Sequence, residues 1–244
     1  KFRGRLMFPI RDERGALVAF GGRIIGDGHP KYINSSETPL YHKSSVLYGL
    51  NRAANSLAKM KPRVGVLCEG YLDVIACHRA GILGAVASLG TALSAEHAKL
   101  LKRWCDQVVV LYDADDAGQK AAERALEVLK PEGLPVSIAL MPAGDDPDTL
   151  LKRAGPSAVA EAVKKSVTPT AFRLERVIGA HPVKNEQFWG EVIEVLAQSS
   201  DVAEIQQHIQ RLVGQFAGSN DPRFVMDQIQ REVVKRRKGS SRQP

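Results

Sequence analysis

Three short clusters of acidic side chains each follow an apolar run of the kind that forms a buried strand. Glu69 closes VGVLCE, Asp113 and Asp115 follow QVVVLY, and Asp145, Asp146 and Asp148 come after VSIALM in GDDPDTL. Residues two apart in extended chain point to the same side, so Asp113 and Asp115 face together. Five or six carboxylates gathered on one surface without opposing Lys or Arg repel by roughly several kcal/mol at short range, unless cations are shared among them. An all-oxygen set without His or Cys selects Mg²⁺ or Mn²⁺ over zinc. The histidines at 29, 42, 78, 97, 181 and 208 are scattered without ligand spacing. Acidic residues also cap helices that follow strands, and that plainer role suits Asp73 and Asp116 as well as the chemical one does.

These clusters need a scaffold, and residues 63–160 supply its pattern. Strand-like runs at 64–69, 84–88, 107–112 and 136–141 alternate with helical segments at 72–81, from an N-cap at Ser94 to about Trp104, and at 117–130. The last of these places Ala121, Ala125, Val128 and Leu129 on one face and stops at Pro131. Strands separated by helices of about ten residues imply right-handed crossovers and a parallel sheet covered on both faces. Catalytic groups collect at the carboxyl ends of such strands, where all three acidic clusters lie. Pro147 is expected to stiffen the loop that carries the last cluster.

Upstream, residues 5–25 read as a hairpin turning at DERG, followed by a polar functional loop, DGHPKYINSSETPLYHKSS, and a short helix at 49–60. Downstream the strand signals cease. Four helices are expected to start at Thr168-Pro169, Asn185, Asp201 and Asp221-Pro222, with Phe188, Val192 and Leu196, then Ile205, Ile209, Leu212 and Phe216, as core stripes. The predicted domains are therefore 1–62, a small basic mixed α/β subdomain; 63–160, the α/β metal-binding domain; 161–239, a helical bundle; and 240–244, a disordered tail.

Charge follows the same division. The chain of 244 residues carries +7 overall, but residues 1–63 hold 12 basic and 4 acidic side chains, 64–160 hold 9 and 13, and 161–244 hold 13 and 10. A basic segment beside an acidic one suits a polyanion on one surface and divalent cations on its neighbour; two unequally charged solvated faces would look the same. Arg3, Arg5, Arg23, Lys31 and Lys43 lie among Gly, Ser and Tyr residues that permit close approach to phosphate, and Tyr32 or Tyr41 offers a face for a base. Arg11 and Arg14 read as ordinary surface charge, and KRRK at 235–238 either as a nucleic-acid contact or, the plainer reading, as residues favoured by a helix C-terminus. Cys68, Cys77 and Cys105 have apolar surroundings and no CxxC pairing, so they are expected as core thiols. No apolar run is long enough to span a bilayer and no signal peptide opens the chain, which predicts a cytoplasmic protein. Lys1 falls inside an element already under way, as in a fragment.

EGYLD after one strand, D-x-D after another and a further D-x-D resemble the TOPRIM domain. The order FPIRDERGALVAFGGR, PKYINSSETPLYHKSSVLYGL, EGYLDV, ASLGTALS, YDADDAG, GDDPDTL resembles DnaG-type bacterial primases, densely over residues 1–160 and loosely beyond. Ala114 stands where that family often has Gly. The resemblance implies a TOPRIM-type parallel sheet flanked by helices. It implies metal binding and catalysis by Glu69, Asp113, Asp115, Asp146 and Asp148, with Asp145 in support, and Glu69 either as ligand or in proton transfer. It further implies that Arg3, Arg23, Lys31, Tyr32 and Lys43 contact nucleotide or template. The implied activity is DNA-templated synthesis of short RNA primers from ribonucleoside triphosphates at the replication fork, on single-stranded DNA, with Mg²⁺ or Mn²⁺. The zinc ribbon and the helicase-binding domain of such primases are expected to lie outside this sequence, and with them contact to the replicative helicase. Two rivals use the same residues: a TOPRIM nuclease or topoisomerase that breaks a phosphodiester, and a catalytically incomplete fragment that only binds single strands.

Overall fold

The computed structural model describes residues 1–90, 92–216, 218 and 221–240. Its first element pair is the expected hairpin. Strands β1 (Arg5–Arg11) and β2 (Leu17–Ile24) pair antiparallel, and the Asp12 carboxylate closes the turn by accepting from the Arg14 and Ala16 amides at 3.0 and 2.9 Å. A third strand, β3 (Tyr32–Asn34), pairs with Gly21–Arg23 inside the segment expected as loop. Three residues are too few to show alternation, and their partner strand, not their own sequence, fixes them as strand. Helix α1 (Leu50–Leu57) follows.

The parallel sheet comprises β4 (Val64–Cys68), β5 (Ala85–Ala87), β6 (Gln107–Tyr112) and β7 (Val136–Leu140), in the order β5-β4-β6-β7. Its connections are α2 (Tyr71–Arg79), α3 (Ala95–Trp104) and α4 (Asp116–Leu129), then α5 (Pro147–Ala154) and α6 (Pro156–Lys164) after the last strand. Val66, Cys68, Val109 and Leu111 share one buried cluster with Val74 and Cys77 of α2, Leu150 and Leu151 of α5 and Val159 of α6. The alternate residues Leu67, Val108 and Val110 are equally buried, so both faces are covered. Ser94 caps α3 as expected, accepting from the His97 amide at 3.1 Å. The buried face of α4 is Ala122, Ala125, Leu126 and Leu129; Ala121 and Val128, expected there, are only half-buried. All three cysteines are free and buried.

Helix α5 corrects the expected loop. Pro147 is its first residue, where a missing N–H costs nothing, and Asp146 is its N-cap, accepting from Thr149 at 2.7 Å. The D-P-D-T spelling carries that capping signal.

Contacts divide the chain after Val167. The boundary expected at 160/161 falls within α6, and the boundary expected at 62/63 lies inside the first unit, because Phe8, Ile10, Ala19 and Tyr41 share a core with Tyr71 and Leu89. The second unit holds α7 (Pro169–Ala180), α8 (Glu186–Gln198), α9 (Val202–Phe216) and α10 (Pro222–Ser240). Thr168, Asn185 and Asp201 serve as the expected caps, and Phe188, Val192, Leu196, Ile205, Ile209 and Leu212 form the core, with Phe216 packed at its margin. Residues 241–244 of the expected tail lie outside the described residues. Among the described residues no helix is long and apolar enough to cross a membrane.

Tyr41, a candidate for base stacking, is fully buried and its hydroxyl has no hydrogen-bond partner among the described residues; burial pushes its pKa up to about 12. Removing an unsatisfied buried hydroxyl relieves roughly 1 kcal/mol. Tyr41→Phe is therefore expected to raise the denaturation midpoint or leave it unchanged, and a thermal melt checks this.

Candidate active site

Strand order locates the site before any side chain is considered. From β4 the chain moves to β5 on one side and then returns to place β6 on the other, so the winding reverses between β4 and β6. Ligand crevices form outside the carboxyl ends of the two strands that flank such a reversal. Glu69 follows β4 and Asp113 follows β6. The Asp113 amide donates a long 3.5 Å hydrogen bond to Glu69 Oε1, which fixes the two strand ends to each other.

A cleft of about 780 Å³ opens there, lined by Glu69, Asp73, Asp113, Asp146 and Asp148 on the acidic side and by Arg23, Lys31, Tyr32 and Lys43 on the basic side. Burial is the main cause that raises the carboxyl pKa of Glu69, with the Asp115 charge adding to it. Burial, then the charges of Glu69, Asp146 and Asp115, raises Asp113 to about 6. Asp73 rises to about 7 through burial, against the Gly70 amide that it accepts from at 2.9 Å. Asp73 thus caps α2 and also lines the cleft, so the capping and chemical roles that the sequence left open at this residue are joined in it.

The predicted acidic residues divide by local structure. Asp115 does not line the cleft; it caps α4, accepting from the Gly118 amide at 2.7 Å, yet its charge acts on Glu69 and Asp113. Asp148 pairs with Lys152 at 2.6 Å, and Asp145 turns to Arg153, which lowers its pKa. The expected absence of opposing cations therefore fails at these two, although among the described residues no Lys or Arg pairs with Glu69, Asp113, Asp115 or Asp146. Among the described residues no three His, Cys, Asp or Glu side chains gather tightly enough to form a ready-made metal cage. Mg²⁺ is commonly held by one or two carboxylates together with waters and substrate phosphates. A spread rim of unpaired carboxylates facing basic groups fits that mode, whereas a structural zinc cage it does not fit.

The basic side is held by its own contacts. Arg23 lies over the Tyr32 ring at 5.7 Å, across the β2–β3 pairing. Burial raises the Tyr32 pKa, the Arg23 charge opposes it, and the charges of Asp73, Asp146 and Asp148 add to it. Glu37 accepts from His42 at 2.8 Å and from the Lys43 amide at 3.0 Å. Fully buried His97 reaches the Lys43 carbonyl at 2.8 Å, so a histidine without ligand spacing anchors the basic loop. Arg5 spends its guanidinium on the carbonyls of Pro30 and Lys31, at 2.9 and 3.3 Å. Arg3 is exposed and does not line the cleft. Lys1, Asn34, Leu89 and Lys152 line it without having been marked by sequence.

Lysines and arginines that neutralise phosphates release counterions, so affinity for a single-stranded oligonucleotide is expected to fall steeply with salt. Lys43→Ala or Arg23→Ala should each make the log–log slope shallower by about 1. Fluorescence anisotropy from low to moderate salt reads the slopes, and three equal slopes would show these side chains to be merely solvated.

A parallel sheet with an acidic residue at one strand end and D-x-D at the next defines the Toprim class, and the family model described as Toprim-like matches residues 66–151. The model for the N-terminal domain of the DNA primase catalytic core matches residues 1–54. A DNA primase domain from Pseudomonas aeruginosa superposes with a TM-score of 0.71 at 35% identity, covering 94% of this chain and 72% of that one. A DnaG primase catalytic domain bound to single-stranded DNA gives 0.68 at 34%, covering 96% and 71%. The full DNA primase of Pseudomonas aeruginosa is 46% identical over 191 residues, which are 76% of this chain and 28% of that protein. The chain belongs to the DnaG-type DNA primase family and corresponds to its catalytic core. It spans about a third of the length of the curated relatives it matches.

Proposed function

We propose that this chain carries the nucleotidyl-transfer site of a bacterial replicative primase, which joins ribonucleotides on a single-stranded DNA template. One observation carries the reading: a single cleft sets unpaired carboxylates at two adjacent strand ends against Arg23, Lys31 and Lys43 on a separate basic sheet and loop. That opposition is what a ribonucleoside triphosphate demands, since its phosphates need cations on every side.

In this reading Lys31, Lys43 and Arg23 receive the triphosphate, and the exposed part of the Tyr32 ring offers a stacking face for a base. Glu69 and Asp113, with Asp146 and Asp148 on the same acidic wall, are the residues that would hold Mg²⁺ or Mn²⁺; Asp115 supports them through its charge while capping α4. When bound, divalent cations here lower the pKa of a 3′-hydroxyl and offset charge on the departing pyrophosphate. The 3′-hydroxyl of the growing RNA attacks the α-phosphate: the O3′–Pα bond forms as the bond from Pα to the α,β-bridging oxygen breaks, the hydroxyl proton passes to solvent water, and pyrophosphate leaves. The buried strand ends hold the carboxylates in place, so little reorganisation accompanies the step. Cytoplasmic action at the replication fork follows from the same reading.

Incubation with ribonucleoside triphosphates, single-stranded template and Mg²⁺ or Mn²⁺ tests this. Short labelled RNA complementary to the template is expected. Cut template would replace the proposal with a phosphodiester-breaking activity, and binding without either product would reduce the chain to a single-strand-binding fragment.

A further inference from the structure

The acidic and basic walls of the cleft belong to different sheets, so something must set the gap between them. Tyr71, the first residue of α2, sits immediately after Glu69 and Gly70. Its buried ring stacks on Phe8 of β1 at 4.8 Å and meets the edge of Tyr48 at 4.7 Å. Gly21 of β2 makes room for it, because a Cβ there would fall on the Tyr71 hydroxyl. That hydroxyl donates to the Asn34 side-chain oxygen in β3, and the Asn34 amide donates on to the Leu89 carbonyl at 2.8 Å. Leu89 is buried, and it is the one non-glycine among the described residues with a positive φ, 65°. An L-residue in that region is strained and persists only where its surroundings hold it. Leu89 and the following Gly90 line the cleft.

We propose that Tyr71 and Asn34 are positioning residues, a hydrogen-bonded bolt that fixes β3, which follows Lys31 and pairs with Arg23 of β2, and the Leu89–Gly90 turn at a set distance from the carboxylates, so that a triphosphate spans both walls. Neither side chain needs to touch the reacting atoms. The bolt joins three elements that share no backbone hydrogen bond through these residues: the helix that starts beside Glu69, the strand that carries Tyr32, and the turn after β5. The inference rests on the proposed function for its ligand, though its structural half stands independently.

Tyr71→Phe keeps the ring stacking and deletes only the hydroxyl. Calorimetry with Mn²⁺ alone is expected to give wild-type affinity, since the carboxylates are untouched, whereas ATP with Mn²⁺ should bind about tenfold more weakly, the size set by one lost buried hydrogen bond. A general loss of structure would weaken both. Asn34→Ala should weaken ATP binding by at least as much, and the double variant no more than Asn34→Ala alone, because residues acting as one unit are not additive. Amide hydrogen exchange read on the same proteins should quicken in Tyr32–Asn34 and at Leu89 and Gly90 in each variant. Wild-type ATP affinity in Tyr71→Phe, or additive losses, or unchanged exchange at those amides, would overturn the bolt. A wild-type chain that binds no ATP would instead overturn the functional reading and the ligand half of this inference, leaving exchange to decide whether the bolt exists.

Discussion

Asp113→Asn is expected to lose template-directed ribonucleotide incorporation by on the order of 10²–10³-fold, the scale of removing one preorganised electrostatic contribution to the transition state. The same substitution should stabilise the fold when a chelator is present. The sign follows from linkage. The folded-state pKa of Asp113 lies at about 6, above the ordinary 3.8, because burial and the charges of Glu69, Asp146 and Asp115 disfavour its ionised form. The folded chain therefore binds more protons than the unfolded one between about pH 4 and 6, and this residue's contribution to stability falls as pH rises through that window. Allowing for the solvent screening of a half-exposed group, about 1–2 kcal/mol is lost by pH 7. Asp113→Asn removes that loss, so the midpoint in EDTA should rise at pH 7.5 and differ little at pH 4. Activity measured with Mg²⁺ and melts at both pH values check the two halves; a variant less stable than wild type at pH 7.5 in EDTA would show that Asp113 is a structural partner and not a strained ligand.

Gly118→Ala should have the second largest effect, although a methyl group is all that it adds. Gly118 sits in the first turn of α4, and its amide donates to Asp115 at 2.7 Å. A Cβ on it would fall on the carbonyl oxygen of Asp113, with backbone rather than a yielding side chain as the obstacle. The helix start must move away from the end of β6, at a cost of about 1–3 kcal/mol for overpacking. Because the displaced residues are Asp113 and its neighbours, Mn²⁺ affinity should fall together with stability. Denaturant melts and calorimetry on one preparation test this. A variant with wild-type stability and metal affinity would mean that the strand end is softer than its packing implies.

What was legible in the sequence follows from what each signal depends on. Strands β4, β6 and β7 show as apolar runs because burial on both faces demands it, and Ser94, Thr168, Asn185 and Asp201 announce their helices because capping is local chemistry. The carboxylates at the strand ends were readable for the same reason, since position after a buried strand is a local property. The remainder depends on partners distant in sequence. β3 is strand because Gly21–Arg23 pairs with it, and Tyr41 is interior because it shares one core with Phe8 and Leu89, far from it in sequence. Asp73 reaches the cleft only through the placement of α2, and His97 finds its use in a carbonyl 54 residues away. Asp115 and Asp146 show how one residue type serves two ends: each caps a helix, and the charge of each also acts on Asp113.

The central claim is that divalent cations bind at the carboxyl ends of β4 and β6, on residues that repel one another when no cation is present. Calorimetric titration of Mn²⁺ into the wild-type chain and into the double variant Asp113→Asn, Asp115→Asn tests it most directly. The wild type should bind with affinity that weakens as pH falls below about 6, because protons compete for Asp113, and the double variant should show no saturable binding. Equal Mn²⁺ affinity in the two proteins would contradict the account.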